Sequence, residues 1–511
     1  MQLLSIIVAL IRAYWPILLS AAVLWRLIHN YLKLRHVPGP FAAAVSDGWR
    51  VVHTLRGNTM KEYELHRKYK SPILRFGPNT VSVADPAAIK VIYGLNPIFN
   101  KGPLYITHQF MSKDGEVMHN LSSTRDERIH ARLRRAVNHA YALSNLLDYE
   151  KLMDSTTDVF LRELTRRFVK TGAECDLAFW LQLYAFDVLG EITFSKRFGF
   201  LEAGTDLHDM LHHTALHMEY IGRVGTMPWL DEWFRLRNPI LRRFRKPNAI
   251  VSFSLQHIDN HTQHTDPEAP SDFITRFQIA AEKYPDIMTR TQMEDFAVTN
   301  VSAGSDTTAI ILRAVIYFLL TNKACFDRFM DEVKAVLKAR PQNEDYEKHV
   351  SWTEAYNMKY FQACLKETMR LHPALGQMLP RVVPPGGIEV CGVFLPEGTE
   401  VGCNAWTIHH DKEVFGEDAD IFRPERWLDE DEERVKNMER CNFVFGAGSR
   451  TCIGRHVAML ELSKLIPEFF RTFEVTLVDP KRYQDHCVWL VVQSGLDVKL
   501  KLRDSQSLLE G

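Results

Sequence analysis

No excess of either charge marks this 511-residue chain: 62 Lys plus Arg stand against 63 Asp plus Glu, a net charge of −1. Without a one-signed field it has no global attraction for DNA or RNA, so nucleic acid is not expected as a partner. Its eight cysteines are scattered with no C-x-x-C pair, which speaks against a disulfide scaffold and a structural zinc site. No Gly-x-Gly-x-x-Gly fingerprint occurs, so the chain lacks the loop that cradles a dinucleotide pyrophosphate. From Phe41 onward there is no low-complexity linker and no fixed-period repeat, and residues 41–511 read as one domain. Disorder is excluded by what is abundant: 46% hydrophobic residues, with 29 Phe, 16 Tyr and 10 Trp.

The amino terminus is different in kind. Leu3 to Trp25 is almost wholly apolar, just enough for the roughly 20 residues of helix that cross a bilayer core. Arg12 costs about 2.5 to 3.5 kcal/mol near mid-span, which its apolar neighbours offset while the side chain snorkels. An amphipathic surface helix is the other reading. Arg26, Lys33 and Arg35 follow, and the positive-inside rule places everything downstream in the cytosol. Residues 1–28 are therefore expected to anchor the chain and residues 29–40, ending in Pro38-Gly39-Pro40, to form a stiff, non-helical linker.

Beyond the linker, helical periodicity dominates. Apolar positions three or four apart predict helices over Asp126–Leu143, Leu146–Val169, Met293–Leu320, Lys323–Ala339 and Tyr360–Leu371. Strand-like runs are short: Ile73–Val83 around a Gly-Pro-Asn turn, and Ile388–Val401 as a hairpin expected to turn at Pro396-Glu397-Gly398. His261–Asp272 and Arg340–His349 read as surface loops. The expected fold class is mainly α with small β-sheets.

The most informative segment is Phe445-Gly446-Ala447-Gly448-Ser449-Arg450-Thr451-Cys452-Ile453-Gly454, followed by a helical pattern over His456–Phe470. Glycines let backbone N–H groups point inward without Cβ clashes, and a cysteine at a helix opening has its thiolate favoured by the dipole and those donors. Phe443 and Phe445 are placed to shield the sulfur and lower the dielectric around it. A lone cysteine is usually a small buried hydrophobe, and a glycine-rich turn before a helix is often a phosphate cradle. The full spacing F-x-x-G-x-R-x-C-x-G resembles the haem-binding signature of the cytochrome P450 superfamily, with every fixed position present. The resemblance implies Cys452 as axial thiolate ligand of haem iron, with Phe445 and Gly446 in the cofactor-binding loop.

Other family-like motifs follow the expected order. Lys366-Glu367-Thr368-Met369-Arg370 places Glu367 and Arg370 on one helix face; by itself this is an ordinary pair worth under about 1 kcal/mol. Phe422-Arg423-Pro424-Glu425-Arg426-Trp427 resembles the P-E-R segment, and the resemblance implies a buried structural network of Glu367, Arg370 and Arg426. Ala303-Gly304-Ser305-Asp306-Thr307-Thr308, otherwise a cap or kink, resembles the oxygen-activation motif of the distal helix. That implies Gly304 opening the helix, Thr307 holding dioxygen and its water, and Asp306 relaying protons from solvent. Family-matched partners for the haem propionates are Arg450, Arg134 and Arg381, with His130 where many members carry tryptophan. Arg128, Arg132 and Arg135 form an outward stripe, either a plain solvated face or a dock for an acidic electron donor.

The resemblance, which extends over essentially residues 41–511, implies a membrane-anchored haem-thiolate monooxygenase carrying haem b. Electrons would come from NADPH through a separate cytochrome P450 reductase, with cytochrome b5 as a further donor. The expected location is the endoplasmic reticulum membrane, single-pass, with the catalytic domain cytosolic. Leu379–Val383 and Trp406–His409 look most like fungal enzymes of the pisatin demethylase type, which implies an apolar terpenoid, polyketide or alkaloid substrate of secondary metabolism. The substrate pocket is expected from Pro103–Asn120, Leu211–Trp233, the helix around Val301 and Ala303, Leu375–Leu379 and Val488–Ser494. Two rivals remain: a haem-thiolate isomerase or dehydratase needing no external electrons, against which Asp306 and Thr307 argue, and a non-catalytic haem-binding protein.

Overall fold

The computed structural model describes residues 2–55, 57, 61–96, 98–109, 117–236, 238, 240, 249–261, 272–340 and 348–504. The surface loops expected at 261–272 and 340–349, and part of the pocket segment 103–120, fall largely outside these residues. Helix α1 runs unbroken over Gln2–Lys33, with Pro16 inside it. It therefore absorbs residues 29–33 of the expected linker, and the Arg12 side chain lies outside the described residues. From Tyr14 onward its apolar residues, among them Trp15, Ile17, Leu18, Leu24 and Trp25, are exposed.

The last turns of α1 are fastened to the body by one side chain. Arg75, buried on strand β1 (Ile73–Gly77), donates to the carbonyls of Asn30, Tyr31, Ala44, Gly77 and Pro78. Gly39 completes the junction, because a Cβ there would lie 2.5 Å from the Arg75 carbonyl oxygen.

The main helices are α2 (Glu127–Val137), α3 (Glu150–Leu164), α4 (Leu177–Phe194), α5 (Arg290–Thr321), α6 (Lys323–Ala339), α7 (Lys359–Leu371) and α8 (Arg455–Thr472). Asp126 caps α2 by accepting from the N–H groups of Arg128 and Ile129. The long patterns expected at 126–143 and 146–169 break up: a 3₁₀ turn follows Val137, and a π turn over Thr165–Val169 ends α3. Helix α5, about 48 Å long at 1.5 Å per residue, crosses the molecule and packs most extensively on α4. Among the described residues α4 and α5 are long and apolar enough to span a membrane, yet both are mostly buried, which makes them core helices.

Strands β1, β2 (Thr80–Val83), β3 (Asn100–Lys101), β5 (Arg381–Val382) and β8 (Glu400–Cys403) form a sheet in the order β1-β2-β8-β5-β3. A second core of Leu34, Val37, Val81, Val83, Val401 and Phe443 packs on it. A three-stranded sheet joins β4 (Cys175–Asp176), β12 (Asp497–Leu502) and β9 (Phe473–Leu477). Strands β10 (Gln484–Cys487) and β11 (Val491–Ser494) form a hairpin packed on α5.

The hairpin expected to turn at Pro396-Glu397-Gly398 turns earlier. Strand β6 (Ile388–Val390) pairs with β7 (Val393–Leu395) around Cys391 and Gly392, at φ 52° and 74°. Two successive left-handed residues match the twist of a tight hairpin. The Pro-Glu-Gly turn instead redirects the chain into β8, which runs parallel to β2.

Candidate active site

Cys452 lies in the loop before α8, and its N–H donates to the Phe445 carbonyl at 2.9 Å. Gly446, at φ 68°, makes the turn that this closure requires. Of the eight cysteines, five are buried, two are half-buried and only Cys452 is exposed. Its side chain opens onto accessible space while protein packs closely around the remaining sides. The N–H groups of Gly454 and Arg455 and the charges of Arg134 and Arg455 favour the thiolate. Desolvation outweighs them and raises the pKa, so the loop alone does not deliver the stabilised thiolate expected from its sequence. A metal ion bound at the sulfur would supply the missing positive charge. Phe445 is half-buried against the main core, whereas Phe443 packs on Tyr93, with ring centroids 4.8 Å apart.

Behind the loop, Glu367, Arg370 and Arg426 are all fully buried and meet as expected. Arg370 grips both Glu367 oxygens, Nε to Oε2 at 2.9 Å and Nη2 to Oε1 at 2.8 Å, and Arg426 Nε reaches Oε1 at 2.9 Å. Trp427 Nε1 and the Arg423 N–H complete the carboxylate's shell at 2.9 and 3.0 Å. The link onward to the cysteine loop is His409: its Nδ1 donates to the Arg370 carbonyl at 2.9 Å and its Nε2 accepts the Phe443 N–H at 2.8 Å. Burial lowers its pKa to about 3, so it stays neutral, as a ring that must accept on Nε2 requires.

The basic residues expected around a haem converge, with one addition. Arg381, His130 and the side chain of Arg450 are buried and Arg134 is half-buried. Lys101, on the sheet's edge strand β3, joins them: burial, then Arg381 and Arg450, push its pKa well below the lysine range. His130 is lowered to about 3 by burial, then by Arg450, Lys101, Arg134 and Arg381. Glu127 answers Arg450 at 2.7 Å, and Arg134 Nη1 donates to the Thr451 carbonyl at 2.7 Å. Arg381 has only the Pro380 carbonyl and the Tyr93 ring, and neither it nor Lys101 makes an ion pair among the described residues. Buried cations with so little counter-charge are costly unless an anion joins them. A ligand with two carboxylates fits this cluster. Lys101 was missed in the sequence because it lies outside every family-like motif and just ahead of the expected pocket segment 103–120; a lysine between Phe99 and Leu104 was the available signal.

On α5, Ala303 is exposed and Thr307 half-exposed although Val301, Ser305 and Thr308 are buried, so this face lines open interior space. The Thr307 hydroxyl donates to the Ala303 carbonyl at 2.9 Å. One expectation changes here. The helix is continuous through Gly304, whose missing side chain admits Leu189 of α4, 3.0 Å from where a Cβ would sit. Asp306 is half-buried and tied to Gln182 on α4, and burial raises its pKa to about 6 against the opposing Arg313 charge.

A narrow cleft brings together three of the expected pocket segments through Leu104, Gly225, Thr226, Gln377 and Met378. It adds Trp49 and Phe76, which sequence reasoning did not anticipate, and it lies beside the sheet and not at Cys452. Arg128, Arg132 and Arg135 are exposed on α2, next to a surface recess lined by Arg134, Arg135, Gly448 and Ser449.

The Cytochrome P450 family model matches residues 49–499. The chain is 37% identical over 509 residues to the cytochrome P450 monooxygenase cicH of Emericella nidulans, covering 98% of this chain and 99% of that protein. It is 37% identical over 501 residues to the monooxygenase asR2 of Sarocladium schorii, covering 94% and 95%. It is also 35% identical over 487 residues to mpaDE′ of Penicillium brevicompactum, covering 93% of this chain and 56% of that longer protein. A cysteine loop open on one side, a cationic cluster short of anions and a family model that matches residues 49–499 converge: the chain belongs to the cytochrome P450 family.

Proposed function

We propose that this protein is a haem-thiolate monooxygenase in which Cys452 binds the iron of haem b and a small apolar molecule is oxidised between that haem and α5. The observation that carries the reading is the pairing of one accessible cysteine with a buried, under-neutralised cluster of Lys101, His130, Arg134, Arg381 and Arg450. Arg381 and Lys101 hold the propionates most directly, His130 donates as a neutral ring, and Arg450 and Arg134 brace the loop through Glu127 and the Thr451 carbonyl. Bound there, haem supplies dioxygen binding and its reductive cleavage, which electron donation from the thiolate favours.

The remaining work belongs to side chains. Thr307 Oγ1 keeps free lone pairs while donating to Ala303, so it orients a hydrogen-bond donor on the open face. Asp306, raised to about 6, exchanges its proton near neutral pH and supplies acid to that face. This acid and alcohol favour oxygen chemistry over the electron-free isomerase. Leu104, Met378 and Phe76 exclude water around the substrate's approach.

An external redox partner delivers the electrons, and we assign that role to NADPH through a cytochrome P450 reductase, with cytochrome b5 as an accessory donor. The exposed stripe Arg128, Arg132 and Arg135 is its dock. The exposed apolar side chains of α1 support a single span of the endoplasmic reticulum membrane, followed by a short hinge and one catalytic domain over 41–511. Similarity to fungal monooxygenases supports a role in secondary metabolism on a terpenoid, polyketide or alkaloid.

The decisive experiment is a reduced carbon-monoxide difference spectrum of wild type and Cys452→Ser. The red-shifted thiolate band is expected in the first and lost in the second; a wild type without it defeats the assignment. Product formed only with NADPH and reductase separates the monooxygenase from an isomerase.

A further inference from the structure

Tyr93 follows the short helix Ala88–Ile92 and is 4% exposed, in a stretch that carries none of the motifs above. Its hydroxyl sits inside the central sheet. Strands β5 and β8 run antiparallel with Arg381 opposite Val401, and two residues along the same register sets Leu379 opposite Cys403. One half of that rung is direct: the Leu379 N–H donates to the Cys403 carbonyl at 3.0 Å. The phenol bridges the other half, accepting from the Cys403 N–H at 2.8 Å and donating to the Leu379 carbonyl at 2.8 Å. Facing residues in an antiparallel ladder exchange both bonds, so this hydroxyl stands in for a bond of the sheet. Burial raises its pKa well above the tyrosine range, which keeps the proton it must donate.

The rest of Tyr93 lies against the cysteine loop at two separate points. Its ring packs on Phe443, itself 2% exposed. Its carbonyl fills the space beside Gly448, where a Cβ would lie 1.9 Å from that oxygen and where φ is 66°. Glycine is required there by a contact as well as by the backbone angle. From Phe443 the loop's own bonds continue toward the sulfur: the Phe443 carbonyl accepts from the Gly446 N–H at 2.9 Å, and the Phe445 carbonyl accepts from the Cys452 N–H. Ala447 packs on the same apolar core as Tyr93. The Tyr93 ring also carries the Arg381 guanidinium, 4.8 Å from its centroid, and Arg381 stands opposite Lys101 where β5 pairs with β3.

We propose that Tyr93 is a positioning residue that joins the cysteine loop to the sheet bearing Arg381 and Lys101, so that the sulfur and the cations assigned to the haem propionates keep one fixed separation. The proposal rests on the haem-thiolate reading. A porphyrin held both at its iron and at its carboxylates cannot follow one grip that drifts from the other, so slack between loop and sheet weakens the bond to sulfur. His409 and Tyr93 hold the same residue, Phe443, from different sides and for different ends. His409 ties the loop to the helical body behind it. Tyr93 ties it to the cations.

The test uses the holoenzyme with Tyr93→Phe, which removes the bridging hydroxyl and keeps the ring, and Tyr93→Leu, which removes both. Ile73→Ala, in the same apolar core but two strands away from β8, is the control for a general loss of stability. In mild denaturant the thiolate band of the reduced carbon-monoxide complex converts to the blue-shifted band of a thiol ligand. This conversion is expected to run about tenfold faster or more in Tyr93→Phe than in the control, and faster again in Tyr93→Leu, as befits loss of a residue that orients a metal ligand. Alkylation of Cys452 in the haem-free protein, where it is the one exposed cysteine, is expected to accelerate in the same order, because a loosened loop frees the sulfur from its packing. Band conversion and alkylation no faster than in Ile73→Ala in both variants overturn the proposal and leave the monooxygenase standing; a wild type without the thiolate band overturns the function itself. If Tyr93→Leu does not fold, Tyr93→Phe alone decides.

Discussion

Two buried charge clusters flank the cysteine loop, and they are built in opposite ways. Around Glu367 every carboxylate oxygen is taken by Arg370, Arg426, Trp427 or the Arg423 backbone, and Arg370 spends its remaining donors on the His409 and Ala419 carbonyls at 2.8 and 2.6 Å. Around Arg381 and Lys101 positive charges crowd together with Glu127 as their main answer. The first cluster is complete within the chain and serves the fold. The second is incomplete and reads as a receptor for an anion. Burial alone does not distinguish a structural charge from a ligand-binding one; the tally of partners does.

The contrast is sharpest where a member is removed. Glu367→Ala strands two buried guanidiniums and is expected to cost about 3–5 kcal/mol, enough to abolish soluble, haem-containing protein; chemical denaturation of whatever folds measures it. A variant of near wild-type stability would erase the distinction. Lys101→Met is expected to act in opposite senses: it relieves repulsion and holds or raises the melting temperature of the haem-free protein. It also removes a charge-assisted contact worth about 1.5–3 kcal/mol, so haem transfer to an apo-globin acceptor accelerates roughly tenfold or more. The same sign in both forms would make Lys101 structural.

Acid titration probes both clusters through one histidine each. His130 and His409 have folded-state pKa values of about 3 against 6.5 for a free imidazole. Between these values the unfolded chain binds a proton that the folded chain does not, so stability rises with pH and falls as pH drops below about 6.5. Each ring accounts for up to about 1.4 kcal/mol per pH unit over that window. Denaturation midpoints between pH 6.5 and 5 are expected to flatten in His409→Gln. Haem is expected to weaken the His130 share, because propionates favour its charged form. The smallest effect is at the surface: Arg132→Glu with Arg135→Glu changes stability by under about 0.5 kcal/mol while slowing reduction by the partner and flattening its salt dependence. Unchanged reduction would leave the stripe a solvated face.

The part of this arrangement legible in the sequence is the part written in contiguous residues. The loop from Phe445 to Gly454, the Glu367–Arg370 pair and the Asp306–Thr307 pair are local spacings, found as a turn before α8, one face of α7 and adjacent positions on α5. Helix α6 matches its periodicity residue for residue, since apolar positions three or four apart suffice to define a packed face. The β6–β7 turn was misplaced because proline and glycine at 396–398 outweigh the plainer Cys391-Gly392, although hairpin twist selects the latter. What stayed hidden depends on distant segments meeting. Gln182 touches Asp306 from 124 residues away, and His409 reaches Phe443 across 34. Neither glutamine nor histidine carries a local signature for such a task.

Arg75 changes what α1 is mechanically. Because its guanidinium locks the carbonyls of Asn30 and Tyr31 to the sheet, the helix meets the body as a handle meets a blade and not as a string meets a float. Any lean of α1 in its surroundings swings the whole catalytic body by the same angle. The mouth of the cleft between Trp49 and Thr226 thus keeps a fixed bearing on the helix axis.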